Sequence, residues 1–290
     1  MIEKNKTTKI ILIFLTVLML GEALYLLSLL KGESFHSNKI ALINIRGTIL
    51  ESEEIIEQIN KYKDNPAVSS IVLHIDSPGG STGTVQEIYQ EIKEVRKKGK
   101  IFVTSFENIG ASGAYYIATA TNYIIANPGT LTGSIGVIMS VNNFKELLDK
   151  VGLKAEVIKS GKYKDIGSPI RNMTLNEQKL IQGLTDDVHN QFIEAVIKGR
   201  KIKKEKLVNI TDGRLLTGLQ AYKVGLVDQL GNLNNAIEVA AKLANIKGKP
   251  VVIREKDELS SAFKNFFKRL FNKLFLDKIN NASCEYKLNY

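Results

Sequence analysis

The sequence has little cysteine, tryptophan or histidine. Its 290 residues include one Cys, at position 284, no Trp and three His. A single cysteine excludes an intramolecular disulfide framework and a zinc site built from several cysteines. The remaining composition, with 44% hydrophobic and 24% charged residues, is typical of a globular chain, and the length permits one large domain or two small ones.

The positive charge of the chain is concentrated at its two ends. The formal net charge is +10, of which residues 1–9 carry +2 and residues 259–290 carry +4. The 249 residues between them therefore carry only +4. A domain that binds nucleic acid presents a basic patch or stripe on the folded domain itself. The distribution does not fit such a domain, and we expect no nucleic-acid partner.

An apolar segment near the N-terminus predicts a membrane anchor. Residues 10–30 contain a single charge, Glu22, and as a helix they span roughly 31 Å, enough to cross a hydrocarbon core. No small-residue cleavage site follows the segment, which favours a retained signal anchor over a cleaved signal peptide or a core helix. The lysines in residues 1–9 predict a cytoplasmic N-terminus. We expect a single-pass protein of the cell membrane whose remaining domain is extracytoplasmic.

Beyond a polar spacer (residues 31–38), strand-like and helix-like patterns alternate. Several of the apolar runs are continuous and rich in Val and Ile, which is typical of strands buried on both faces. The alternation predicts an α/β domain over residues 39–258, built from βαβ units. The predicted strands are 40–46, 69–76, 100–106, 122–127, 134–140, 155–160 and 250–254. The predicted helices are 51–62, 82–97, 112–121, 143–151, 175–198 and 234–243.

Three glycine-rich segments follow predicted strands, at residues 76–81 (DSPGGS), 108–116 (NIGASGAYY) and 127–136 (NPGTLTGSIG). Each taken alone is explained by a tight turn. Loops at the carboxyl ends of strands form the ligand crevice of α/β sheets, so three together predict backbone that lies close to a bound molecule. None of them is a phosphate loop, because GxxxxGK[ST] and GxGxxG are both absent.

Ser112 is a candidate nucleophile, because it lies between a predicted strand and a helix of small residues. This position directs a hydroxyl into the crevice and places the Gly113 N–H where it can stabilise an oxyanion. A serine that caps the helix is the alternative interpretation. The histidines, His36, His74 and His189, include none that is clearly placed to serve as its base.

A lysine can replace histidine as the base if burial or neighbouring positive charge lowers its pKa from about 10.4 towards 7 or 8. Three candidates, Lys159, Lys162 and Lys164, lie in the segment VIKSGKYKDIGSP at residues 157–169. The residue pattern by itself does not choose among them.

Together these segments resemble the signal peptide peptidase A family. Its members are membrane-anchored bacterial Ser/Lys peptidases related in fold to Clp-type proteases and crotonases. The resemblance extends over about residues 40–230 and implies a Clp/crotonase-like domain of the ββα type. The matching motifs are DSPGG at 76–80, ASGAYY at 111–116, TGSIGVI at 132–138, SGKYKDIGSP at 160–169 and GRLLTGLQAYKVGLVD at 213–228.

The resemblance implies a complete serine-peptidase site without a cofactor or a metal ion. In this assignment Asp76 and Asp165 fix loops and are not catalysts. The implied site residues are the nucleophile Ser112, the general base Lys164, Ser134 as a hydrogen-bond partner of that lysine, and Gly79 and Gly113 as the oxyanion hole.

The resemblance also implies a substrate and an assembly. The substrates are signal-peptide remnants and other apolar peptides left after protein export. The chain is expected to form a homo-oligomeric ring or dome on the membrane, in which Lys164 reaches Ser112 of a neighbour. Two alternatives are a non-catalytic membrane scaffold and a crotonase-like acyl-CoA enzyme. The predicted topology argues against the second alternative, because CoA is cytoplasmic.

The basic tail, residues 259–290, has its own pattern. Residues 260–279 place Phe and Leu at helical spacing with lysines off that face. This predicts an amphipathic helix that lies on anionic lipid, or one that docks on the domain or on a neighbouring subunit. We expect residues 281–290 to be disordered, and we consider the basic tail a candidate occupant of a peptide cleft.

Overall fold

The structure is a computed structural model that describes residues 16, 19, 20, 22, 38–207, 209–254 and 284–287. Strands and helices alternate along residues 38–254, so the predicted α/β class is confirmed. The strands are β1 Lys39–Arg46, β2 Val68–Ser77, β3 Gly79–Ser81, β4 Ile101–Ala111, β5 Tyr123–Ala126, β6 Leu131–Gly133, β7 Ile138–Met139, β8 Leu215–Thr217, β9 Gln229–Leu230, β10 Val251–Arg254 and β11 Cys284–Lys287. The helices are α1 Glu53–Lys63, α2 Thr82–Lys97, α3 Gly113–Thr119, α4 Lys145–Lys150, α5 Leu175–Arg200, α6 Lys204–Leu207, α7 Gly218–Lys223 and α8 Leu233–Leu243.

The main sheet has the strand order β10-β1-β2-β4-β5-β9, and every neighbouring pair in this order is parallel. The far end of β4 also pairs in parallel with β6, and β6 pairs antiparallel with β8. Parallel strands align their carboxyl ends at one edge of the sheet. The glycine-rich segments that follow β2, β4 and β5 therefore converge at this edge.

Helices cover both faces of the main sheet. On one face, side chains of α1, α2, α3 and α5 pack with alternate residues of the strands, such as Ile43 and Ile71. On the other face, Ala236 and Ala240 of α8 pack against Ile40 and the neighbouring strands. Burial on both faces explains why β1, β2 and β4 each contain an uninterrupted apolar run, at residues 40–43, 71–73 and 101–103.

Most predicted elements are confirmed, but two predicted strands differ. Residues 155–160 form no strand, and Ile158 is fully exposed. A strand needs hydrogen bonds from a neighbouring strand, and none of the described residues provides one here. The predicted strand 134–140 is reduced to β7, because Ser134 has a φ of 48° and donates its N–H to the carbonyl of Arg214.

The predicted membrane segments lie mostly outside the described residues. Of residues 10–30 only 16, 19, 20 and 22 are described, all as helix. None of the helices in the described part of the chain combines the length and hydropathy needed to cross a bilayer. The predicted helix 260–279 falls wholly outside. The expectation of disorder at residues 281–290 is wrong for residues 284–287, which form β11 and pair with β3 and β7.

We expect Ile43→Ala to destabilise the domain by about 2–5 kcal/mol, because it leaves a cavity in the packed layer between the sheet and its helices. Ile43 is 0% exposed and Ile158 is 100% exposed. Ile158→Ala is therefore the matched control and changes the unfolding free energy of the dissociated single chain by less than about 0.5 kcal/mol. Urea unfolding of the two variants measures the difference. Equal effects would contradict this assignment of the core.

Candidate active site

Ser112 lies in a sharp turn between β4 and α3. Its φ is 53° and its ψ is −121°, a conformation that residues other than glycine rarely adopt. Two backbone hydrogen bonds hold the turn, from Ser112 N–H to the Gly133 carbonyl and from Tyr116 N–H to the Ser112 carbonyl, both 2.9 Å. Such strain persists only where the surrounding structure fixes it, and it is often found at functional sites.

The Ser112 hydroxyl is buried and free. Ser112 is 1% exposed, and its Oγ has no hydrogen-bond partner among the described residues. Although Ser112 occupies the N-cap position of α3, its side chain makes no capping hydrogen bond. The capping alternative is therefore excluded. An unsatisfied buried hydroxyl costs folding free energy, so its presence calls for a reason other than stability.

Asp76 fixes the chain just before this turn. Its carboxylate accepts hydrogen bonds from the N–H groups of Asn108 and Ile109 at 3.3 and 3.1 Å, and from the Asn108 side chain at 3.1 Å. At Gly110 a Cβ would lie 2.0 Å from the Phe106 ring. These contacts agree with the loop-fixing role predicted for Asp76.

The short strand β3 borders the site, because it contacts α3. Gly79 has a φ of 106°, and its N–H donates to Ser77 Oγ at 3.1 Å. Gly80 pairs with Ile49, and a Cβ at Gly80 would lie 1.9 Å from the Ile49 carbonyl oxygen. Of the two predicted oxyanion donors, Gly79 thus has an acceptor already. Gly113 is the first residue of α3, where a helix leaves its N–H groups without intrahelical acceptors.

A groove between β3 and β7 holds a strand of the same chain. The backbone of β11 pairs antiparallel with both, and its register opposes Lys287 to Gly79 and Glu285 to Ile138. This strand also contacts α3, the helix that Ser112 precedes. The groove therefore accepts an extended polypeptide next to the turn that carries the free hydroxyl.

Ser134 is the second serine of the site, and its backbone is connected to that of Ser112. It follows Gly133, whose carbonyl accepts the Ser112 N–H. Ser134 is 7% exposed and also has a positive φ, 48°. The two predicted site serines are thus brought together on adjoining turns.

The candidate lysines lie on a loop that is not bonded to Ser112. Lys159 pairs with Asp165, and Lys162 lies over the Tyr163 ring, 5.2 Å from its centre. Lys164 is exposed, and its N–H donates to the carbonyl of Gly161 at 3.1 Å. Within the described part of one chain, no lysine is hydrogen-bonded to the Ser112 hydroxyl.

The two described histidines are engaged elsewhere. His74 Nε2 lies 3.2 Å from a Glu107 oxygen, and burial lowers the pKa of His74 although Glu107 opposes this shift. His189 Nε2 lies 3.2 Å from the carbonyl oxygen of Ile135. Neither is a partner of Ser112. His36 lies outside the described residues.

Two residues that the sequence reasoning missed organise the lysine loop. Arg171 binds both Asp165 and Glu177. Glu177 also forms a capping box with Thr174 at the start of α5. The spacing T-x-x-E at residues 174–177 was a readable signal for this box, whereas nothing in the spacing indicated that Arg171 would join it.

The comparisons with known proteins agree with this arrangement. The model of the family described as "Peptidase family S49" matches residues 94–247. A Synechocystis sp. protein whose name describes it as a protease is 44% identical over 209 residues, which are 72% of this chain and 75% of that protein. The chain belongs to peptidase family S49.

Two further relatives narrow the description of this S49 peptidase. An Enterococcus faecium protein named as a signal peptide peptidase SppA is 32% identical over 238 residues, 78% of this chain and 69% of that protein. "Serine protease SPPA, chloroplastic" of Arabidopsis thaliana is 32% identical over 201 residues, 69% of this chain and 30% of that protein. The resemblance to the signal peptide peptidase A family is thereby confirmed, and the chain is a peptidase of this type.

We expect Gly80→Ala in this S49 domain to destabilise the protein by about 1–3 kcal/mol and to abolish peptide cleavage, because its Cβ would collide with a backbone carbonyl that cannot move aside. Gly83, three residues on in α2, has open space at the same position. Gly83→Ala is the matched control and raises stability by up to about 1 kcal/mol through helix propensity. Thermal unfolding and a peptide-hydrolysis assay compare them, and a fully active Gly80→Ala protein would contradict the role given to β3.

Proposed function

We propose that this chain is a serine endopeptidase in which Ser112 is the nucleophile and Lys164 the general base. The observation that carries the proposal is the buried, unpartnered Ser112 hydroxyl in a strained strand-to-helix turn. A strained turn of this kind exposes the nucleophile of other hydrolases at the top of a sheet. The parallel sheet with its glycine-rich edge is consistent with the Clp/crotonase-like arrangement that we propose for the domain.

The substrate in this proposal is an extended peptide. The pairing of β11 with β3 and β7 supports it, because it is strand addition, a common mode of peptide recognition. Main-chain hydrogen bonds would supply affinity, and the residues that flank the groove would select side chains. We propose signal-peptide remnants and other apolar peptides as the natural substrates. The name of the Enterococcus relative supports this choice.

A second copy of the chain supplies the lysine. Ser112 lacks a base among the described residues of its own chain, and Lys164 is exposed on a loop of that chain. The segment before Lys164 and the start of α5 expose a series of large apolar side chains, which favours burial against another copy. These side chains are those of Leu147, Val151, Leu153, Val157, Ile158, Leu175, Leu180 and Leu184.

The chemistry is that of acyl transfer. The lysine amine takes the proton of Ser112 as its oxygen attacks the peptide carbonyl, and Ser134 orients that amine. The amides of Gly79 and Gly113 hold the oxyanion, for which Gly79 exchanges its present bond to Ser77. The protonated lysine then gives its proton to the leaving amine. Water, activated by the same lysine, releases the acyl-enzyme. Each oxyanion donor is worth about 3 kcal/mol.

We further propose that residues 10–30 anchor this enzyme in the cell membrane with the peptidase domain outside the cytoplasm. The apolar run and the preceding lysines support this topology. The amphipathic pattern of residues 260–279 would hold the domain against the membrane surface. A membrane-proximal cleft suits peptides that remain in the bilayer after export.

A serine-reactive fluorophosphonate is expected to label the purified protein at Ser112, and Ser112→Ala is expected to lose both label and peptide cleavage. Ser105→Ala is the matched control, because Ser105 is also 1% exposed, lies on β4, the strand that precedes the Ser112 turn, and has an unpartnered Oγ. Peptide mapping of the labelled protein locates the probe. Labelling at another residue, or none, would refute the assigned nucleophile and favour a non-catalytic scaffold.

Mixing the inactive Ser112→Ala and Lys164→Ala proteins is expected to restore activity after reassembly. Random assembly at equal ratio gives about one quarter of the wild-type rate, since that share of interfaces joins an intact serine to an intact lysine. Peptide hydrolysis, assayed before and after the mixed proteins are dissociated and reassembled, measures the recovered rate. No recovery from a verified mixed oligomer would show that the dyad is not shared.

A chain that ends at residue 283 is expected to cleave peptides faster than the full chain, because β11 then no longer competes for the groove. The effect should appear as a lower KM with little change in kcat. Steady-state kinetics on one fluorogenic peptide compare the two chains. A synthetic peptide of residues 284–290 should inhibit the shortened chain, whereas a scrambled peptide serves as the control. Unchanged KM would contradict binding of substrate in this groove.

A further inference from the structure

One guanidinium group, that of Arg171, joins the loop that carries Lys164 to the start of α5. All five N–H donors of Arg171 are used. Nε donates to Asp165 Oδ2 at 2.7 Å, and Nη2 to the Asp165 carbonyl at 3.1 Å. Nη1 and Nη2 bind the two oxygens of Glu177 at 2.9 and 2.6 Å, and Nη1 also donates to the Asn172 carbonyl at 3.1 Å.

Glu177 connects this guanidinium to the rigid part of the molecule. It lies in the first turn of α5, a helix of 26 residues, and it is 3% exposed. Its carboxylate also accepts the Thr174 N–H at 2.8 Å and the Thr174 hydroxyl at 3.0 Å. Arg171 and these Thr174 bonds lower the pKa of Glu177 to about 2. A buried carboxylate needs such partners to remain charged.

Asp165 connects the same guanidinium to the lysine. It follows Lys164 directly in the chain, and its side chain also pairs with Lys159. Arg171 and Lys159 hold the pKa of Asp165 below its ordinary value. One carboxylate therefore joins both ends of the loop from 159 to 171, and the backbone carbonyl of Asp165 is bonded as well. The residue next to Lys164 is thus held through both its side chain and its backbone carbonyl.

We propose that Arg171, held by Glu177, is a positioning residue that sets where Lys164 presents its amine to the serine of a neighbouring copy. The inference rests on the proposed peptidase function. A lysine side chain is long and flexible, so the place of its backbone determines the reach of the amine. A displacement of about 1 Å at a catalytic group can reduce a rate by about 10²-fold.

Arg171, Asp165 and Glu177 form a cluster whose hydrogen bonds disfavour other roles. Arg171 has no N–H left to bind a substrate carboxylate. Asp165 accepts from two cations and remains ionised, so it is unsuited to act as a general acid. Glu177 is almost fully buried beneath the loop. The cluster can act on catalysis only through the backbone that it holds.

The kinetic test uses Arg171→Gln in the full-length oligomer. We expect kcat to fall by about 10²-fold while KM changes by less than about threefold, because the peptide groove is untouched and only the base is displaced. Glu177→Gln keeps the size but loses the charge, and its kcat should fall by about tenfold. Lys198→Gln is the control. It removes an exposed lysine–carboxylate pair on the same helix and should leave both constants unchanged.

Mixing experiments separate positioning from misfolding. Arg171→Gln protein retains an intact Ser112, so it should recover activity with Ser112→Ala protein, which supplies a correctly held Lys164. It should recover none with Lys164→Ala protein, because its own lysine is displaced. A misfolded variant would recover activity with neither. Recovery with Lys164→Ala, or a wild-type kcat for Arg171→Gln, would overturn the inference.

If Arg171 does not position Lys164, the experiments give a different result than if the proposed peptidase function is wrong. If Ser112→Ala and Lys164→Ala each retain full activity, the proposed assignment of Ser112 and Lys164 as the catalytic dyad is wrong. If both are inactive but do not restore each other, the dyad lies within one chain. The loss of kcat at constant KM in Arg171→Gln then remains the deciding measurement, with circular dichroism to verify its fold.

Discussion

The hydrogen bond from the Ser112 N–H to the Gly133 carbonyl is the interaction on which the site depends. It joins the turn after β4 to the turn after β6, and so fixes the two serines relative to each other. The Gly133 turn is held in its own right, because the next N–H, that of Ser134, donates to Arg214. Three distant parts of the chain therefore determine the place of one hydroxyl.

The parallel sheet makes this convergence possible. Its strands end at one edge, and each glycine-rich segment turns there in the small space left by its neighbours. Gly80 against Ile49 and Gly110 against Phe106 illustrate this, since neither position has room for a Cβ. Close backbone packing leaves the loops rigid.

The sequence was sufficient for features that depend on local pattern. The bounds of α2 agreed with its apolar periodicity, and the turn at Ser112 followed from glycine and small residues around it. The sequence was insufficient for features whose structure depends on a partner that is distant along the chain. Residues 155–160 have the composition of a strand but no neighbour in the described chain, whereas β11 lies in a segment that we expected to be disordered and is ordered by pairing.

The same distinction between local pattern and distant partners applies to the residues of the candidate site. Ser112, Gly113 and Ser134 lie together because short turns place them there. The lysine could be chosen only through family resemblance, because its neighbours in space are set by tertiary structure. Arg171 was missed for the same reason: its role depends on two carboxylates, each six residues away on opposite sides along the chain.

The size of β3 has a consequence for what this enzyme can attack. A groove bordered by a three-residue strand, Gly79–Ser81, recognises a chain by offering hydrogen bonds to its backbone. Folded proteins have already satisfied those groups internally, and cannot enter without local unfolding. Such a cleft therefore selects unfolded segments through their free backbone groups before side chains contribute to the selection. A peptidase with such a cleft can work among intact folded proteins and still degrade only the chains that have lost their fold.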